Sequence, residues 1–139
     1  MKNRILTSVM ATFMLLFISF SGNAQTKKTT PKANASKATV EVIQFHSEHR
    51  CMTCNKIEKL TRQTLKKDFP KIAFTLVNVD DAKNEKKAEQ FEATGTALFL
   101  YNPKTGKKKD LTDFAFMNAG DEAKFQKELK KEIQLFLKG

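Results

Sequence analysis

The chain holds two cysteines, and both lie in the segment Cys51-Met52-Thr53-Cys54. Two thiols separated by two residues, at the junction of a strand and a helix, suit thiol–disulfide exchange. A helix start offers unpaired amides and a partial positive charge that lower the free energy of a thiolate there, and Arg50 adds a full charge beside it. Cys51 and Arg50 thus read as the attacking end of the site. Cys54 lies one helical turn further on, within reach of the Cys51 sulfur, so it can resolve a mixed disulfide from inside the same molecule.

The same stretch permits other chemistry. His46, His49, Cys51 and Cys54 place two imidazoles and two thiols within nine residues. These are ligand types that suit zinc and, through the thiolates, copper(I) or arsenite. Met52 is either a further soft ligand or an apolar docking contact. A purely structural disulfide is the third reading, although a loop this short constrains the unfolded chain little. Neither a Gly-rich phosphate loop nor a paired-carboxylate site is present, so the exchange reading expects no cofactor. Copper or zinc enters only with the metal reading.

Several elements must position this pair. Val40, Val42, Ile43 and Phe45 form a β-branched and aromatic run that predicts a strand ending at His46. From Cys51 to Phe69 the period changes: Cys54, Ile57, Leu60, Thr61, Thr64 and Leu65 recur at three- and four-residue spacing, which predicts a helix with Cys54 on its buried face and Pro70 at its end. Ile72 to Val79 carries apolar residues on both alternating faces, as expected of a strand at the centre of a sheet covered on both sides. A short peripheral helix is predicted from about Asn84 to Glu92, with Ala88 and Phe91 inward and Gly95 just past its end. Ala97–Tyr101 reads as a strand, Asn102 to Gly106 as a turn, and Lys107 to about Leu111 as the returning strand. After the aromatic segment Phe114-Ala115-Phe116-Met117, Asp121 can cap a last helix with a stripe of Phe125, Leu129, Ile133, Phe136 and Leu137. The predicted order is β-α-β-α-β-β-α: an α/β fold with a central four-stranded mixed sheet and helices on both faces.

The amino terminus carries the parts of a secretory leader. Lys2 and Arg4 precede an apolar run from Ile5 to Phe20, and Gly22-Asn23-Ala24 offers a cleavage site, which assigns residues 1–24 to a signal peptide. A membrane anchor competes with this, but the run only marginally reaches the roughly 20 residues a span needs. Residues 25–38 hold no large apolar residue and no acid, which predicts a basic disordered linker, and residues 39–139 form one domain. Removing two basic residues with the leader and four lysines with the linker reduces the formal +10 to +4 for the domain. Those charges are interleaved with acids, so the sequence implies no nucleic-acid partner. The expectation is an exported periplasmic or secreted monomer with no stable membrane anchor.

VEVIQF followed by FHSEHRCMTC, the FTLVNVD strand and ALFLYNPKTGK resemble the thioredoxin-like superfamily over nearly all of the domain. More narrowly, FHSEHRCMTC together with DLTDFAF is similar to the small exported bacterial family called nitrophenyl compound nitroreductase subunit, ArsF type. The resemblance implies a thioredoxin-like fold with a redox-active Cys pair. It also implies a substrate-docking backbone where thioredoxins place a cis-proline before the strand facing the pair; here Thr96 and Ala97 stand at that point. Met52 and Thr53 replace the Gly-Pro between the cysteines, Arg50 stands in place of the active-site Trp, and Gln44 or Phe45 falls where thioredoxins bury an acid. The implied activity is protein thiol–disulfide oxidoreduction, with protein thiols or disulfides as substrates and an exported or membrane redox partner. A non-catalytic subunit of a reductase complex is the alternative that the unusual docking segment favours.

Overall fold

In the computed structural model, residues 40–139 are described, and the predicted leader and linker lie outside them. The chain runs β1 (Glu41–His46), α1 (Met52–Asp68), β2 (Ala73–Asn78), a single 3₁₀ turn (Ala82–Asn84), α2 (Glu85–Phe91), β3 (Ala97–Tyr101), β4 (Lys108–Asp110), α3 (Thr112–Asn118) and α4 (Glu122–Lys138). The sheet order is β2-β1-β3-β4. β1 runs parallel to β2, antiparallel to β3, and β3 pairs antiparallel with β4. This is a thioredoxin-like α/β arrangement, and it differs from the sequence expectation by one added helix, α3.

Alternation along β1 assigns its side chains to two cores. Val42 joins Ile57, Leu60, Leu98, Leu100, Phe125 and Leu129 on the face covered by α1, α3 and α4. Ile43 and Phe45 join Val77, Phe91 and Phe99 on the face covered by α2. α2 is therefore short but not peripheral: the Phe91 ring lies 5.3 Å from Phe45, 5.1 Å from Phe99 and 5.1 Å from Tyr101, centroid to centroid. Such contacts add to the large apolar area that each ring buries.

Three further expectations need correction. β2 lies at the edge of the sheet, and β1 and β3 occupy its centre. Apolar residues on both faces of β2 report cover above and below, where Phe74 packs on one core and Val77 on the other. They carry no information about lateral hydrogen-bonded neighbours, which decide what is central. α2 itself ends where the sequence places it, with Glu92 in the left-handed conformation at φ 54° and Gly95 just beyond. The Ala93 amide donates back to the Ala88 carbonyl there, which closes the helix end before the glycine is reached. α3 arises where the sequence showed only an aromatic segment, because the residues it buries, Ala115 and Asn118, are small or polar. Leu137 is 48% exposed, since Phe136 takes the inward position of the last turn of α4.

Other local expectations hold. Asp121 caps α4 by accepting the Lys124 amide at 3.0 Å. Asn102 Oδ1 accepts the Lys104 amide, and Gly106 takes φ +73°, as the tight turn into β4 requires. No helix of the described residues is long and apolar enough to cross a membrane.

Candidate redox site

Cys51 and Cys54 are joined in a disulfide, with their Cα atoms 5.1 Å apart. The pair sits where β1 hands over to α1. Cys51 is the N-cap of α1, with extended backbone at φ −73° and ψ 161°, and its sulfur accepts the Cys54 amide at 3.0 Å. That amide is one of those a helix start leaves without an intrahelical partner, so the cap that begins the helix also places a donor on the Cys51 sulfur. No acid occupies the first turn. Cys51 is exposed while Cys54 retains 5% exposure, the asymmetry that the helical spacing predicts.

The loop leading into the pair is held from β1 and from the segment after β2. The Glu48 amide donates to Asp80 Oδ2 at 2.6 Å, and Ser47 Oγ donates to the His49 carbonyl at 3.0 Å. His46 Nδ1 lies 2.9 Å from the Ser47 carbonyl, which places the proton on Nδ1 for that bond. His49 is exposed. Among the described residues, no three His, Cys, Asp or Glu side chains gather closely enough to hold a metal ion, so His46 and His49 are not brought together with the two sulfurs.

The Arg50 guanidinium forms an ion pair, Nη1 to Glu58 Oε2 at 2.6 Å. Arg62 Nε donates to the other oxygen of Glu58 at 2.7 Å. Burial alone pushes the Glu58 carboxyl up, but hydrogen bonds from Arg62 and Arg50 together outweigh it and hold the group below the usual carboxylate range. Arg50 therefore ties the approach to α1 onto the helix through Glu58, which answers part of its charge. A carboxyl depressed by folding contributes stability that is present above its unfolded pKa of about 4.3 and lost as pH falls through its lower folded value. The chain should thus lose stability below about pH 4.3 more steeply than a Glu58→Gln variant does, measured as chemical-denaturation midpoints across that range.

The sequence-predicted docking residues surround the pair. Met52 is 89% exposed and Thr53 is exposed beside it. With Lys56 they line one side of a shallow groove of about 290 Å³, whose other side is Phe116, Ala119 and Gly120. Sequence reasoning did not name that second wall. The signal for it was the FAFM run, which holds more apolar residues than a seven-residue helix can bury on one face. Ala97 begins β3 opposite Phe45. Thr96 is half-buried, and its hydroxyl donates to Cys54 Sγ at 3.2 Å. Beneath the pair, Gln44 is 0% exposed, and its Nε2 donates to the Cys54 carbonyl at 3.0 Å. Its Oε1 has no hydrogen-bond partner among the described residues. An amide occupies the place where the resemblance leads one to look for a buried acid.

No family model matches the chain, and no curated protein matches it either. Among solved structures, one described as that of a malarial protein is 24% identical over 58% of this chain and 94% of its own, with a TM-score of 0.41, a degree of likeness that carries no argument about this site.

Proposed function

We propose that this chain is an exported thiol–disulfide exchange protein in which Cys51 is the exposed nucleophile and Cys54 the resolving thiol. The observation that carries the reading is the unequal placement of the two sulfurs. Cys51 is open to a partner and receives a backbone N–H, whereas Cys54 is buried in the same helix turn. Exchange requires this division, because one sulfur must meet another molecule while its neighbour stays shielded until the mixed disulfide forms. A protein substrate fits better than a small molecule, since exposed Met52, next to Cys51, shares a shallow groove with exposed Phe116 rather than an enclosed pocket. The resemblance of FHSEHRCMTC and DLTDFAF to an exported family supports an exported or membrane redox partner.

Equilibration of the purified protein in glutathione and dithiothreitol buffers, with thiols trapped and counted by mass, tests the reading. A reversible two-electron transition within the range of biological dithiols is expected, and its midpoint tells oxidant from reductant. A pair that stays closed under strong reduction is structural and sinks the proposal. A pair that stays reduced with copper(I) or zinc attached, and loses the metal when His46 and His49 are changed to Ala, makes the metal module the correct function.

A further inference from the structure

Among the described residues, one side-chain donor is aimed at the buried sulfur of the pair. Thr96, just ahead of β3, brings its hydroxyl to 3.2 Å from Cys54 Sγ. The neighbouring polar groups are otherwise engaged: Gln44 Nε2 is bonded to the Cys54 carbonyl, and the Cys54 amide is bonded to Cys51 Sγ. Gln44 Oε1, although free of any partner among the described residues, is an acceptor and cannot stabilise negative charge.

We propose that Thr96 is a catalytic residue: its hydroxyl stabilises Cys54 Sγ as the leaving thiolate when the disulfide opens. The inference rests on the exchange reading and goes beyond docking, the role that sequence position implied for Thr96. A thiolate of an incoming dithiol attacks exposed Cys51 Sγ, a new S–S bond forms there, and the Cys51–Cys54 bond breaks with its electron pair on Cys54 Sγ. The second thiolate of the dithiol then attacks its own sulfur in the mixed disulfide and releases Cys51 as a thiolate. The dithiol is oxidised, the Cys pair is reduced, and the two protons are shared with solvent according to pH. The difficult moment is the first cleavage, because charge develops on the sulfur of a residue that keeps only 5% exposure. A hydrogen bond that strengthens as its acceptor becomes charged lowers that barrier without tightening the ground state.

Reduction of the full chain by dithiothreitol at fixed near-neutral pH, followed by trapping of free thiols, measures this step. Thr96→Val, which keeps the shape and removes the hydroxyl, should open about tenfold more slowly, a barrier change of about 1.4 kcal/mol. Thr96→Ala should be slowed likewise, and it serves if the valine variant does not fold. Thr96→Ser should recover to within about threefold of the original rate. Alkylation of Cys51 in the reduced protein should stay within about twofold in all variants, because the hydroxyl does not touch Cys51. Unchanged opening in a folded valine or alanine variant overturns the proposal. So does failure of serine to restore the rate, or a parallel loss of Cys51 alkylation, which would make Thr96 a structural support. If the unaltered pair resists dithiothreitol altogether, the exchange reading itself falls, and the role of Thr96 with it.

Discussion

Cys51→Ser is expected to lower thiol–disulfide exchange with a protein disulfide by at least about a thousandfold, the order of loss that follows removal of a nucleophile. A serine hydroxyl is not ionised near neutral pH, so the N–H from residue 54 would have no thiolate to stabilise. The remaining thiol does not substitute, because Cys54 keeps only 5% exposure and cannot meet a second molecule in line. The fold should survive the change. By the chain-entropy relation, a loop closed by residues 51 to 54 contributes about 2 kcal/mol, a minority of the stability of a domain with two packed cores. Exchange measured with a fluorescent disulfide reporter, beside a denaturation curve, separates the outcomes. Retained exchange would show that the chemistry lies elsewhere. Loss of folding would make the pair a staple.

Cys54→Ser should produce the opposite signature: attack without release. Cys51 stays exposed at the start of α1, so it still attacks a substrate disulfide and forms the mixed S–S bond. No neighbouring thiol is then available to displace the substrate. Serine fits the site, since Thr96 can hydrogen-bond a hydroxyl where it now meets a sulfur. The expected result is a covalent adduct that persists on a non-reducing gel, disappears with dithiothreitol, and is absent from the Cys51→Ser, Cys54→Ser double variant. The adduct should survive for minutes or more, whereas the unaltered protein releases its partner too quickly to be caught. Absence of any adduct from the single variant would mean that Cys54, not Cys51, carries the attack. That outcome conflicts with the burial of Cys54 and would require α1 to open.

The adduct also identifies the partner. Its mass, and the peptide joined to Cys51, would show whether residues beside the substrate cysteine pack against Met52 and Phe116 across the groove. Apolar contact there would explain why two large side chains stay exposed beside the reactive sulfur, where exposed apolar surface otherwise carries a solubility cost.

Much of this molecule follows from local pattern. The three- and four-residue spacing in α1 determines its buried face, and with it which cysteine is covered. All six residues predicted to turn inward do so, because the helical period depends only on backbone geometry. The Asp121 cap and the Gly106 turn were legible for the same reason, each being satisfied by groups a few residues away. Tertiary structure alone decided what depends on partners distant in sequence. β2 lies at the edge because β3 inserts on the other side of β1, a choice that side-chain alternation does not encode. Arg50 pairs with Glu58, eight positions along the chain, a choice of partner that its place beside Cys51 left open. Thr96 meets Cys54 across 42 positions of sequence, and Gln44 across ten, because β1 and β3 pair directly beneath the start of α1. The sequence thus determined which residues are able to react and which of them is exposed. Their hydrogen-bond partners were decided only when the sheet brought separated segments to within about 3 Å of one another, the distance at which a donor acts.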